Sequence, residues 1–438
     1  MMRLAPLLAI TICLAAASAS GTATACVPKK TSEFTFAGCL PHWTPTYQMN
    51  MSTIFMACNY SGMFDPAFAA QFGLVEFDWN GQKLQWANDK PMDAERRLVA
   101  QAEAVHALNP ETKIMVYRNF VKALSWMGSV REKLADPAYA GFFLHDVNGS
   151  LYYNDAQTPV PGPSPATLPC GNDCACDGAC SCGEIPCGEY LFDHRNASLR
   201  AWLADVYTSA LAVDLPAISG IFVDDGWASA AEPPPAGGAV GPSEVAAGWQ
   251  AATGLTAADV DALTRGWDAT MAAAQRTLLR KRAFQWQMLV PTAMTRRKVD
   301  VRPTCLELLR GACVPGGGPW SSEALVYYWG RNLTTKHDPA PVQFAQDLAT
   351  FLLIRGPFAW MGTNWLGCSA GAAPPGAAGG AYVRPPGLNV DYGVPVDAAC
   401  AESEPGASGV FTRAYTKASV EMDCGRFKAT ITMHGDDD

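Results

Sequence analysis

The chain has 438 residues and a formal net charge of −9, with 49% hydrophobic and 17% charged residues. That length holds one large barrel or two ordinary domains with ample core, and the apolar share excludes disorder along the whole chain. The negative charge argues against nucleic acid and anionic membranes as partners.

The first residues read MMRLAPLLAITICLAAASASGTATAC. Arg3 supplies a positive start, Leu4 to Ala17 an apolar stretch too short to span a bilayer, and Ala17-Ser18-Ala19 or Ala23-Thr24-Ala25 a small-residue cleavage site. We read residues 1–25 as a signal peptide and expect a secreted, extracellular protein, a monomer free of the membrane after cleavage. Of fifteen cysteines, Cys13 leaves with this leader, and the even remainder suits an oxidising compartment. Sequons at Asn50, Asn59, Asn148, Asn196 and Asn332 agree with export.

Strands and helices then alternate. Thr53–Tyr60 and Gly73–Trp79 read as the first two strands. A helix follows over Met92–Leu108, with Leu98, Ala102 and Val105 on one face and Asn109-Pro110 stopping it. Lys113–Asn119 is a third strand, and Phe142–Asn154 a hairpin turning at Asn148-Gly149. Asn196–Ala212 is helical, with Leu199, Trp202, Leu203 and Val206 on one stripe. The segment SGIFVDDGW follows, with a buried fourth strand at Gly220–Val223 ending in two aspartates. A long helix carries Val260, Leu263, Trp267 and Met271, and leads to a strand at Phe284–Pro291. Glu323–Gly330 is another strand, and Pro341–Gly356 a helix opened by proline and closed by glycine. Pro357–Gly362 and Leu388–Gly393 bring the strands to eight.

Short strands that are apolar on both faces, alternating with helices, predict an α/β fold: a (β/α)8 TIM barrel spanning 26–395. A doubly wound sheet is the alternative. The barrel carries a disulfide-rich insertion over 156–190, and 396–438 forms a small antiparallel β tail with an acidic end. The insertion holds Cys170, Cys174, Cys176, Cys180, Cys182 and Cys187 in a spacing unlike a zinc ribbon, so disulfides are expected and no metal or cofactor. Cys305 with Cys313, and Cys368 with Cys400, are plausible local bridges.

In a barrel, the C-terminal ends of the strands line the site. Those ends offer Glu76, Asp78 and Trp79; Tyr117, Arg118 and Asn119; Asp224, Asp225 and Trp227; Trp329; Trp365; and Asp391 with Tyr392. Aromatic faces stack on sugar rings, while carboxylates and amides bind hydroxyls. Glycoside hydrolysis needs one protonated and one ionised carboxyl. Asp224 ends its strand and is the leading catalytic candidate, with Asp78 and Asp391 as the other catalytic carboxyls. Asp225 points the other way if the strand continues. A plain Asx turn explains an Asp-Asp-Gly equally well.

The stretches FFLHDVNGS, LFDHRNASLRAWLADVY, SGIFVDDGW, LNVDYGVPV and GVFTRAY resemble glycoside hydrolases of the amylase-like barrel superfamily, in the groups akin to endo-α-1,4-polygalactosaminidases. The resemblance covers roughly residues 50 to 430. It implies a carbohydrate substrate and matches Asp224 to the carboxylate of the fourth strand, Asp193 and Arg195 to a helix-opening motif, and Asp391 to a late one. Such enzymes take a second acid from the fifth or sixth strand, where LVPTAM and VYYWGRN carry none. That leaves the partner open among Asp78, Asp391 and Asp193. Its absence would make the chain a non-catalytic carbohydrate-binding protein. Asp193 also stands where a helix-capping residue would. The GCSAG at Gly367–Gly371 matches a nucleophile elbow around Ser369, but the residues after it cannot form the required helix.

Overall fold

The structure is a computed structural model. It describes residues 29–30, 35–37, 41–59, 61–89, 91–149, 151, 153–154, 189–224, 253–287, 301–314, 325–328, 343–366 and 384–435. The leader, nearly all of the cysteine-rich insertion, Ser369, Cys368 and Asn332 lie outside them.

Seven strands form one parallel sheet: β1 (Thr53–Ala57), β2 (Leu74–Phe77), β3 (Lys113–Asn119), β4 (Gly220–Asp224), β5 (Phe284–Gln287), β6 (Leu325–Tyr328) and β7 (Ala359–Leu366). Their order is β5-β4-β3-β2-β1-β7-β6. Every neighbouring pair is parallel. Residues of β1 and β2 are buried throughout, as strands covered on both faces must be. The chain reverses direction between strands through helices α1 (Ala94–Leu108), α2 (Ala197–Trp202), α3 (Ala257–Arg280), α4 (Val301–Ala312) and α5 (Phe344–Ile354).

The sheet curls. Trp43 makes edge contacts with Phe284 on β5, at 5.6 Å, and Trp360 on β7, at 5.9 Å. In a flat sheet, five ladder spacings would hold those strands roughly 24 Å apart. One indole therefore bridges the N-terminal ends of strands at nearly opposite sides of the sheet. The register of β4 requires Gly220, because a Cβ there would lie 2.0 Å from the Phe284 carbonyl oxygen.

Two expectations need correction. The expected strand at Leu388–Gly393 does not form: Pro386–Asn389 is a single 3-10 turn, and β7 pairs directly with β1 where that strand would stand. The segment is instead held by Arg384, which bonds to Asn389 Oδ1 at 2.9 Å and to the Leu388 carbonyl. Among the described residues the sheet is a seven-stranded curl with β5 and β6 as its edges, so a closed eight-stranded barrel is not what the strand order shows. The disulfides are also paired differently. Cys305 bonds Cys424 and Cys313 bonds Cys400. Cys305 and Cys313 are eight residues apart along and just beyond α4, roughly 12 Å on a helix axis, too far for one bridge. Both instead reach out to the tail.

That tail is a four-stranded antiparallel sheet: Ala401–Glu402, then β8 (Val410–Ala414), β9 (Ala418–Asp423) and β10 (Lys428–Met433). Its alternating burial seats Phe411, Val420 and Met422 on one buried face. Tyr415 donates to the Leu352 carbonyl at the end of α5. Two smaller sheets went unseen in the sequence. One joins Lys122–Leu124, Glu189–Leu191 and Tyr153–Asn154 after β3, and the other pairs Lys29–Lys30 with Thr35–Ala37. The turn at Asn148-Gly149 lies between His145 and Leu151, which bridge antiparallel, with Gly149 at φ 82°.

No helix among the described residues is long and apolar enough to cross a membrane. The Cys305–Cys424 bridge closes a separation of 119 residues, so its loss frees much chain entropy on unfolding. Replacing both cysteines by alanine is expected to lower stability by about 2–5 kcal/mol, measured by denaturant unfolding.

Candidate functional site

Side chains alternate across a strand, and β3 uses both faces. Tyr117 and Asn119 project to one side and Arg118 to the other. In the parallel register, Tyr117 lies beside Phe222 and Asn119 beside Asp224 on β4. The Tyr117 hydroxyl bonds Asp224 Oδ2 at 3.0 Å, and Asn119 Nδ2 bonds the Tyr117 hydroxyl at 2.9 Å.

The direction of these bonds follows from the turn beyond β3. Asn119 Oδ1 accepts from the backbone N–H groups of Val121, at 2.9 Å, and Lys122, at 2.7 Å. The amide nitrogen therefore faces Tyr117 and donates to it. The tyrosine O–H is then left to donate to Asp224 Oδ2. Asp224 is half-buried, at the C-terminal end of its strand.

Glu76 shares this face by register. It pairs with Met115, two residues before Tyr117, and is fully buried. Asp78 stands just past the end of β2 and is 4% exposed. Burial raises its pKa to about 6, against the opposing bonds from the Asn80 N–H at 2.7 Å and the Asn80 side chain at 2.8 Å, and the charge of Lys83. Asp78 also lines a small cavity with Asn59, Phe64, Arg97 and Gln101.

Trp79 is not an open stacking platform. It is 7% exposed, packed on Trp126 at 4.7 Å, near Trp86 and the Tyr117 ring, with Lys83 over its face at 4.8 Å. Trp86 and Trp126, which the sequence reading passed over, complete a buried aromatic block behind Tyr117. Their only signal was an indole in each of two connecting segments.

Arg118 leaves the site because of strand alternation. It is fully buried on the outer side, donating to the Tyr207 carbonyl at 3.1 Å and the Leu211 carbonyl at 2.8 Å, with Glu95 at 3.5 Å. Those carbonyls belong to Leu203–Val213, where α2 widens into a π-helix. Arg118 thus fastens the strand that holds Tyr117 and Asn119.

Asp193 and Arg195 form a clip between helix starts. Arg195 binds Asp193 in a bidentate pair, at 2.9 and 2.8 Å, and reaches Asp259 at 3.0 Å, inside the Thr256 capping box of α3. The Asp193 bond holds the Arg195 pKa above its usual value. The cap of α2 is Asn196, not Asp193. His194 is fully buried between Thr270 and the Phe120 carbonyl, a packed position that drops its pKa to about 4.

Asp391 and Tyr392 are placed elsewhere. Arg384, which anchors their segment, approaches Thr53 Oγ1 at 3.5 Å, at the N-terminal end of β1 and so opposite to Asp224. Asp391 is exposed and paired with Lys417 at 2.5 Å, which lowers its pKa. Tyr392 donates to the Gly387 carbonyl, and burial lifts its pKa to about 12. The structure does not bring either together with Asp224. Asp225, Trp227 and Trp329 lie outside the described residues, and Trp365 is described only as part of the β7 backbone. No cluster of metal-ligating side chains occurs among the described residues.

No protein-family model matches the chain, and no curated protein matches it. Among solved structures, the ligand-free cyclic α-maltosyl-(1→6)-maltose hydrolase from Arthrobacter globiformis is similar at 10% identity and a TM-score of 0.38, over 89% of this chain and 98% of that one. A likeness this weak carries no argument.

Asp78 generates a pH signature. Its folded pKa of about 6 lies above the ordinary aspartate value of 3.8, so the folded state holds its proton more tightly. Its contribution to stability is full below pH 3.8 and is lost as pH rises through 6. Asp78→Asn is expected to gain on wild type between pH 4 and 8 by up to about 3 kcal/mol, at about 1.36 kcal/mol per pKa unit. Unfolding midpoints at the two pH values check this.

Proposed function

We propose that the chain is a secreted glycoside hydrolase-like protein that binds a carbohydrate at the C-terminal ends of β2, β3 and β4. The observation that carries this reading is the directed Asn119–Tyr117–Asp224 chain, which orients a part-exposed carboxyl group at the end of a parallel strand. Ends of parallel strands are where curled α/β sheets place their ligands. The leader and the two disulfides support export.

On this reading Asp224 is the ionised member of the carboxyl pair, and Tyr117 tunes and orients it. The proton donor is Asp78, whose raised pKa suits a general acid in mildly acidic solution. β2 and β4 flank β3, two ladder spacings or roughly 10 Å apart. Glu76, buried on the same face, shapes the floor beneath them.

A second reading, carbohydrate binding without turnover, is favoured by one observation. Of the acids considered as partners for Asp224, Asp391 and Asp193 are paired elsewhere, and Asp78 faces its own walled cavity.

The test is release of reducing sugar from a panel of polysaccharides, with binding measured alongside. Asp224→Asn is expected to cut turnover by at least about a hundredfold and keep binding. Wild-type turnover is expected to fall as pH rises through 6, because Asp78 must be protonated. Binding without release by wild type establishes the second reading, and neither binding nor release across the panel sinks both.

A further inference from the structure

At the end of the sheet opposite Asp224, two arginines are buried side by side. Arg355 follows α5 and is 1% exposed, and Arg413, on β8, is 5% exposed. All of their hydrogen bonds go to neutral acceptors. Arg355 donates to the carbonyls of Thr46, at 2.9 Å, and Tyr47, at 3.3 Å, to Ser52 Oγ at 2.5 Å and to Met49 Sδ at 3.9 Å. Arg413 donates to the carbonyls of Leu353, at 2.9 Å, and Arg355, at 2.8 Å, and at 3.3–3.4 Å to those of Leu352, Asp397 and Ala398. The Asp397 carboxylate does not answer them, since it accepts from the Ala414 N–H. Among the described residues neither guanidinium has a carboxylate partner.

Two buried like charges without a counter-charge are costly. The C-terminal end of α5 offers only about half a negative charge to them. Both side chains line one cavity of about 40 Å³, with Tyr47, Gly356, Pro357 and Cys400 among its walls. Arg355 Nε is buried and has no hydrogen-bond partner. Burial, reinforced by the charge of Arg413, lowers the Arg355 pKa to about 10, which still leaves it protonated at neutral pH. The volume admits one monatomic ion or a very few waters.

We propose that this cavity, lined by both arginines, is a binding site for a small monovalent inorganic anion of chloride's size, held between Arg355 and Arg413. The ion supplies the counter-charge the protein omits, and it pins the tail sheet and the end of α5 to the segment before β1. The site is independent of the carbohydrate reading.

The experiment is thermal unfolding of the mature protein in chloride, bromide or gluconate at one ionic strength. Chloride and bromide are expected to raise Tm saturably, by roughly 2–4 °C, and bulky gluconate not at all. Equal Tm in chloride and gluconate overturns the site. Arg413→Met, if it folds, is expected to lose the chloride dependence, and keeping it overturns the assignment. If that variant does not fold, crystals of the wild-type protein in bromide, at the concentration that saturates the Tm rise, decide the matter. An anomalous peak between Arg355 and Arg413 supports the site, and a cavity holding only water overturns it.

Discussion

The alternation of side chains along β3 is the constraint on which the candidate site rests. Three successive residues, Tyr117, Arg118 and Asn119, serve two opposed purposes because the pleat sends them to opposite faces. On the inner face, Asn119 orients Tyr117 and Tyr117 orients Asp224. On the outer face, Arg118 is spent on the Tyr207 and Leu211 carbonyls and on Glu95. A one-residue slip of register would exchange these faces and bury a guanidinium in the sheet's interior. The polar site and its apolar surroundings are thus fixed by a single ladder.

The three aspartates considered as catalytic carboxyls differ by environment more than by type. Asp224 is half-buried and accepts a hydrogen bond from Tyr117. Asp78, two strands away, is buried and pushed toward its neutral form. Asp391 is exposed beside Lys417 and pushed the other way. Burial and a nearby cation thus push Asp78 and Asp391, two chemically identical groups, in opposite directions.

The opposite end of the sheet is organised by cations. Arg355, Arg413 and Arg384 stitch the segment before β1, the end of α5 and the tail into one block. Two disulfides from α4 to the tail do the same covalently. A candidate site at one end of the strands and fastening at the other is the division expected of parallel α/β sheets.

Much of this was legible in the residues. Apolar runs bounded by turn signals located seven of the strands, because a strand buried on both faces has to be apolar along its length. The helix over Ala94–Leu108, its stop at Asn109 and the β tail followed from periodicity, a local property. Asp224 was legible as a carboxylate at a strand end. The eighth strand was not: LNVDYG has the composition of a strand, and only the pairing of β7 with β1 denies it a place. The partners of Cys305 and Cys313, the outward turn of Arg118 and the burial of Trp79 were likewise decided in three dimensions. Each depends on what stands across from a residue, and a linear pattern records spacing along the chain but not the neighbour on the next strand. Sequence by itself determined which segments become strands and helices and which carry charge. The tertiary structure alone decided which face each side chain meets, and so which acids share a site.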